Sequence, residues 1–266
     1  MSADPYASVQ TPPHFFLHRL NPLAKLAAPL PFMAYLLVVR DVWTPLLFLC
    51  FAVGTLLLGA QLSARWRVTL LLGLPAVVLI LSLSFGLWTD ASRVDTTPLL
   101  FQLGEYRFFL GAWLIGLATA LRLGAVLALA LIPGLTTTGP DLVRAMVQHL
   151  RVPYRVGYTA LAAYRFVPRF RHDLELIRQA HRVRGVVGGR GPLAGIRRSF
   201  GYVIPLLAGA IRHAERVSFA MDSRAFGAHS TRTERHLVPL RARDGVFVAV
   251  FWVIGVVLLV VAARLG

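Results

Sequence analysis

Residues Val68–Thr89, VTLLLGLPAVVLILSLSFGLWT, run for 22 positions without a charged side chain. A helix needs about 20 apolar residues to cross a hydrocarbon core of roughly 30 Å, where no water is available to satisfy an open backbone. The stretch therefore predicts a membrane-spanning helix. On its N-terminal side, Val42–Ala64 offers 23 uncharged residues, and near the C-terminus Gly245–Ala263 offers 19. Two further spans are less clean. Leu26–Val39 gives 14 uncharged residues and reaches spanning length if its helix starts near Pro22 and Lys25 snorkels toward the headgroups. The other runs from Phe108 to about Pro133 and contains Arg122, which faces the bundle interior, marks a break in the span, or snorkels from a tilted helix. Gly54, Gly59, Gly111 and Gly116 are small enough to let helix backbones approach.

Composition agrees with a polytopic membrane protein. Apolar residues make up 56% of the chain and charged residues 15%, with a mean hydropathy of +0.64. Soluble domains carry about 25% charged residues. The balance excludes a disordered, collagen-like or disulfide-rich secreted chain. Cys50 is the single cysteine, which removes internal disulfides and CxxC metal sites. The net charge of +16 is concentrated: Asp141–Asp244 holds 19 arginines against 7 acidic residues, and Lys25 is the only lysine in the chain.

Loop charges orient the spans. Gln61–Arg67 carries Arg65 and Arg67 with no acid, whereas Thr89–Arg107 carries Asp90, Asp95 and Glu105 against Arg93 and Arg107. The positive-inside rule places the first loop and the 141–244 segment in the cytoplasm. The expected fold is all-α, with about five transmembrane helices and two long cytoplasmic helices. Residues 1–140 hold four spans, 141–244 the cytoplasmic region, and 245–266 the last span. The N-terminus is expected in the cytoplasm and the C-terminus outside. Met1–Asn21 is polar and proline-containing, with no apolar stretch of the signal-peptide kind.

Within the basic segment, Arg171–Arg184 (RHDLELIRQAHRVR) contains no Gly or Pro and predicts a helix ended by Gly185. Gly188, Gly189 and Gly191 predict a flexible hinge, and Pro192 suits the first turn of a second helix. That helix contains the 13 uncharged residues Ser199–Ile211, too few to span. Pro205 should bend it, and it runs on to Ser223-Arg224-Ala225-Phe226-Gly227. Both helices end on an arginine close to a glycine. An arginine there can meet the negative end of the helix dipole and bind orphan carbonyls. Alternatively, each guanidinium projects from its tip into a partner's pocket.

At this point the chain resembles the T component of energy-coupling factor (ECF) transporters, which are ATP-driven importers of vitamins and metal ions. Asn21-Pro22-Leu23-Ala24-Lys25-Leu26 is similar to the family's Pro-x-x-Lys start of the first span. Thr137-Thr138 with Asp141-Leu142, then Leu150–Pro153 and Tyr164–Pro168, resemble the run before its first coupling helix. Gln179–Gly185 resembles its first Ala-Arg-Gly signature and Ser223–Gly227 its second, with Val183 and Ser223 standing where the family has alanine. The resemblance implies an ATPase-coupling role for Arg184 and Arg224, flanked by Val183, Gly185, Ser223 and Ala225. It implies two cytoplasmic ABC ATPase subunits that bind ATP and magnesium, so that this chain carries no cofactor and no catalytic residue of its own. It implies a small membrane S component that captures substrate, and a bacterial plasma membrane location.

Rival readings fit less well. The integral permease of a conventional ABC importer would carry a Glu-Ala-Ala…Gly coupling loop, and none is found. An intramembrane enzyme would need HExxH, GxSxG or paired acids in its spans. Arg171, Arg178, Arg182, Arg184, Arg190, Arg197 and Arg198 could track nucleic-acid phosphates, but such helices are better explained by anionic headgroups at about 1 kcal/mol per charge. The eight histidines are scattered, and no GxxxxGK[ST] loop exists. No metal site and no nucleic-acid partner are expected.

Overall fold

In the computed structural model, the described residues are 15–89, 97–103, 106–185, 192–229, 233–234 and 236–265. Gly188, Gly189 and Gly191 lie outside them. The chain divides into two units. One is drawn from Val9–Thr138 with Pro239–Gly266, the other from Gly139–Val238.

The first unit opens with α1 (Pro22–Ala27), started by Asn21, whose side chain accepts the Leu23 amide at 2.9 Å, with Pro22 at the first helical position. α2 (Leu30–Leu36) follows at once. Pro29 and Pro31 supply no amide to the helical ladder, so this region is two short helices and not one continuous helix. α3 (Trp43–Gly59) is a shorter apolar helix. α4 (Ala64–Val68) passes through a π-turn at Thr69–Gly73 into α5 (Leu74–Leu87), together forming one helix of 24 residues. The π-turn has a local cause: the Pro75 ring would clash with the carbonyl four residues back, at Leu71. β1 (Leu99–Leu103) and β2 (Tyr106–Phe109) form an antiparallel hairpin, an addition to the all-helical expectation. They lead into α6 (Leu110–Thr136). The unit closes with α10 (Ala242–Leu265), which packs on α3.

Ala64–Leu87, Leu110–Thr136 and Ala242–Leu265 are each long and apolar enough to cross a membrane. Half of the apolar stretch of α6 is buried, against 17% for α10, so α6 is the central helix and α10 faces outward. The reason lies in its sequence. Ala112, Gly116, Ala120, Gly124 and Ala128 recur every fourth residue and are all buried. They let α5 lie against α6 at backbone distance. A Cβ built on Gly116 would sit 2.3 Å from the Ser82 carbonyl oxygen and 2.6 Å from the Gly86 nitrogen. Gly59 likewise admits Leu17, whereas Gly54 faces open space. Along α3, the Phe32 and Phe48 rings meet at a tilt with centroids 5.1 Å apart, as do Phe51 and Phe251 at 4.8 Å. Gly255 leaves the room that the Phe32 ring fills.

Lys25 does not snorkel. It is 2% exposed, and its ammonium donates to the Thr136 carbonyl at 2.7 Å, at the C-terminal end of α6. Asp244, also buried, accepts the Asn21 amide at 2.8 Å and the Arg241 amide at 2.7 Å. A buried ammonium is tolerable only when it is bonded, and the orphan carbonyls of a helix end are suited to receive it.

The second unit contains α7 (Gly139–His149), α8 (Tyr154–Val183) and α9 (Pro192–Asp222). α8 begins 17 residues earlier than Arg171, directly after Pro153, and carries Pro168 inside it. Gly157 brings it onto α7, with a Cβ position 2.2 Å from a Val147 methyl. The Gln148 side chain ties α7 to the 236–238 strand of coil, donating to the His236 carbonyl and accepting from the Val238 amide, both at 2.9 Å.

The α5–α6 contact makes a prediction. Gly116→Ala should lower stability by about 1–3 kcal/mol, the usual cost of overpacking, because the obstructing atoms belong to backbone. Gly54→Ala should be neutral or slightly stabilising. Thermal unfolding in detergent checks both, and equal midpoints for the two variants would refute the packing.

Candidate functional site

The two helix ends singled out by the sequence share one backbone geometry. α8 ends at Val183, and Arg184 is its capping residue, with φ −75° and ψ 2°. Gly185 follows at φ +67°, and its amide bonds the Arg182 carbonyl at 3.1 Å. α9 ends at Asp222. The Phe226 amide reaches the Met221 carbonyl at 3.0 Å and the Ala225 amide the Asp222 carbonyl at 2.9 Å, a Schellman motif. Its left-handed residue is Ala225, at φ +53°. In both tips, therefore, an arginine immediately precedes a left-handed residue. The counterpart of Gly185 is Ala225. Gly227, at φ +91°, serves a separate turn, where the Arg155 guanidinium donates to its carbonyl.

Backbone amides thus satisfy carbonyls at both ends without help from the arginine side chains. Among the described residues neither the Arg184 nor the Arg224 guanidinium has a hydrogen-bond or ion-pair partner, and both residues are exposed. Val183 beside the first is 89% exposed, an apolar residue in water next to a free cation. At the second tip, the Ser223 hydroxyl is spent inside the helix, donating to the Ala220 carbonyl at 3.1 Å.

α8 and α9 run antiparallel. Phe166 stacks on the His213 ring at 4.6 Å, while His181 meets the Tyr202 edge at 5.3 Å, and the Arg178 guanidinium lies 5.9 Å from the same Tyr202 ring centre. The two arginines therefore stand at opposite ends of the pair. With 30 residues in α8, that separation is about 45 Å by helix rise.

The second tip is braced in ways the motif did not announce. Tyr154 meets Phe226 edge-on at 5.7 Å and donates its hydroxyl to the His229 carbonyl at 2.6 Å. Tyr158 donates to Glu234. Beside them opens a cleft of about 880 Å³ lined by Arg144, Arg165, Arg169 and Arg224. Asp141 neutralises Arg144 at 3.0 Å, and Asp173 lies 3.9 Å from Arg169. Arg165 and Arg224 have no such partner among the described residues, so the cleft suits an acidic surface. Along α9, Phe200, Val203, Ile204, Leu207 and Ile211 are exposed at helical spacing, an apolar stripe on one face. Among the described residues no group of His, Cys, Asp and Glu could hold a metal ion.

Comparison with known proteins extends over nearly all of this framework. The family model CbiQ, described as cobalt transport protein, matches residues 13–235. An energy-coupling factor transporter transmembrane protein, EcfT, from Streptococcus equi subsp. equi (strain 4047) is 27% identical over 264 residues, covering 93% of each chain. The protein of the same name from Bacillus subtilis (strain 168) is 24% identical, covering 86% of this chain and 87% of its own. A Bifidobacterium longum (strain NCC 2705) protein provisionally named as an ABC transporter ATP-binding protein is 27% identical over 256 residues, covering 92% of this chain and 32% of its own length.

The tip geometry has a measurable consequence. A left-handed conformation costs a non-glycine residue roughly 1–2 kcal/mol, partly offset in glycine by its looser unfolded state. Ala225→Gly should therefore raise stability by about 0.5–1 kcal/mol, and Gly185→Ala should lower it by about 1 kcal/mol. Thermal unfolding of the purified chain reads both shifts, and opposite signs would show that the tips are not capped in this way.

Proposed function

The chain belongs to the CbiQ family of cobalt transport proteins, and from that membership we propose that it is the transmembrane coupling component of an energy-coupling factor importer. In this reading two cytoplasmic ABC ATPases bind ATP and magnesium and dock on the tips at Arg184 and Arg224. Val183, Gly185, Ser223 and Ala225 shape those tips, and the glycines at 188, 189 and 191 form the hinge between the helices. A small membrane subunit binds the vitamin or metal ion, and this chain passes the ATPase motion to it without performing chemistry itself. About five crossings of a bacterial plasma membrane, with the N-terminus and the second unit in the cytoplasm, complete the arrangement.

One observation carries the proposal. Two arginines without a partner among the described residues, each set on the same backbone cap, stand at opposite ends of one helix pair. A dipole role would have brought the guanidinium to the last carbonyls, which are bonded by backbone amides instead. Two separated and equivalent anchors suit two equivalent partners, and arginine is enriched among residues that dominate interfaces. The printed names of the relatives add support. Two are energy-coupling factor transmembrane proteins, and the third matches this chain along a third of a protein named for ATP binding. The apolar stripe on α9, too short to span, is a surface for the small membrane subunit.

Co-expression with the two ATPases tests the reading. Arg184→Ala and Arg224→Ala should each weaken ATPase docking by about 2 kcal/mol, roughly 30-fold, while leaving the chain folded. The double variant should lose transport almost entirely. A double variant that retains both ATPases on affinity purification and transports normally refutes the proposal. Topology is tested separately: in a Cys50→Ser background, a cysteine at Ala228 should react with an impermeant thiol reagent only from the cytoplasmic side.

A further inference from the structure

Arg122 lies in the middle of the central membrane helix. It is 12 residues after Leu110 and 14 before Thr136, the ends of α6. At about 1.5 Å per residue it is roughly 18 Å from the nearer end, so in a hydrocarbon core of about 30 Å it sits near the midplane. Snorkelling serves residues near helix ends, and from this depth the headgroups are out of reach for an arginine side chain. An arginine does not escape the problem by losing its proton.

Among the described residues this cation finds no partner. Its Nε is buried without a hydrogen-bond partner, and among the described residues the guanidinium forms no ion pair. Two described acidic residues belong to the membrane unit. Asp41 accepts the Thr44 amide, and Asp244 accepts the Asn21 and Arg241 amides. Along α6, Arg122 stands at the border between buried Ala118, Ala125 and Leu129 and exposed Ile115, Leu123 and Leu127. One side of its head therefore opens onto the surface that lipid or another subunit covers.

We propose that Arg122 is the docking point for a carboxylate carried at mid-depth by a transmembrane helix of another subunit, with Ile115, Leu123 and Leu127 as the apolar contact around it. The charge selects the occupant. A mid-membrane arginine is costly, and a carboxylate facing it offsets much of that cost through a bidentate pair. A second copy of this chain supplies no such group, because Ala64–Leu87 and Leu110–Thr136 contain no acid and the one in α10 is spent on Asn21 and Arg241. A lipid phosphate does not reach the midplane. The inference uses the membrane unit alone and stands independently of ATPase docking.

The test uses the full chain in phosphatidylcholine nanodiscs with synthetic transmembrane peptides of leucine and alanine bearing a single central Glu, Gln or Leu. Association is followed by fluorescence energy transfer. The Glu peptide should bind at least tenfold more tightly than the Leu peptide, with Gln between them. Arg122→Leu should erase that preference, and Arg122→Lys should keep part of it. Anionic lipid in the nanodisc should leave the preference unchanged. Equal binding of the three peptides to the unsubstituted chain overturns the proposal. A preference that survives in Arg122→Leu, or that anionic lipid abolishes, overturns it as well. Should Arg122→Leu fail to fold, the peptide comparison on the unsubstituted chain and on Arg122→Lys still decides.

Discussion

The bond from the Lys25 ammonium to the Thr136 carbonyl ties the first helical turn of the membrane unit to the end of its central helix. Lysine occurs once in 266 residues, and it is buried in a membrane protein. Such a group is costly unless a strong acceptor faces it, and the last carbonyls of a helix carry the partial negative charge that fits. One turn earlier, Asn21 starts the same short helix and gives its amide to Asp244. The single turn Asn21–Lys25 thus grips the end of α6 and the beginning of α10. The chain leaves the membrane unit after Thr138 and returns at Pro239. Thr138 lies two residues beyond Thr136, and Pro239 five before Asp244.

Much of the membrane unit was legible because its physics is compositional. A run of 22 uncharged residues admits few structures other than a span, and Gly59 and Gly116, two of the glycines marked for close approach, do meet a neighbour closely. What the chain did not reveal depends on partners far away in sequence. Lys25 reads as a snorkelling residue until the carbonyl 111 positions later is seen beside it. The break between α1 and α2 was written in Pro29 and Pro31, yet the hydropathy of the segment hid it. The hairpin ahead of α6 joins two short runs, one with four apolar residues in five, and an apolar run does not by itself separate strand from helix.

At the tips the same contrast appears within a few residues. Gly185 marks the first cap because glycine takes positive φ freely. The second cap places Ala225 there, a residue whose preferences argue against the conformation, and Gly227 drew attention to the wrong position. The turn around Ala225 is braced by Tyr154, which meets Phe226 edge-on and donates its hydroxyl to the His229 carbonyl, and by Arg155, which donates to the Gly227 carbonyl. Those braces come from the start of α8, some 70 positions upstream, and no local pattern encodes them.

Pro168 and Pro205 give the helix pair a mechanical character. Each removes one rung of the ladder, at the carbonyls of Tyr164 and Gly201. A lone helix with a missing rung buckles there under end load. In this pair the two weak points fall at different heights, since Phe166 meets His213 near one and Tyr202 meets His181 near the other. Each defect is splinted by an unbroken turn of the opposite helix and clasped by an aromatic pair. Thrust applied at one end is carried to the other by whichever helix is intact at that level. Bending at either proline is opposed by the intact helix beside it.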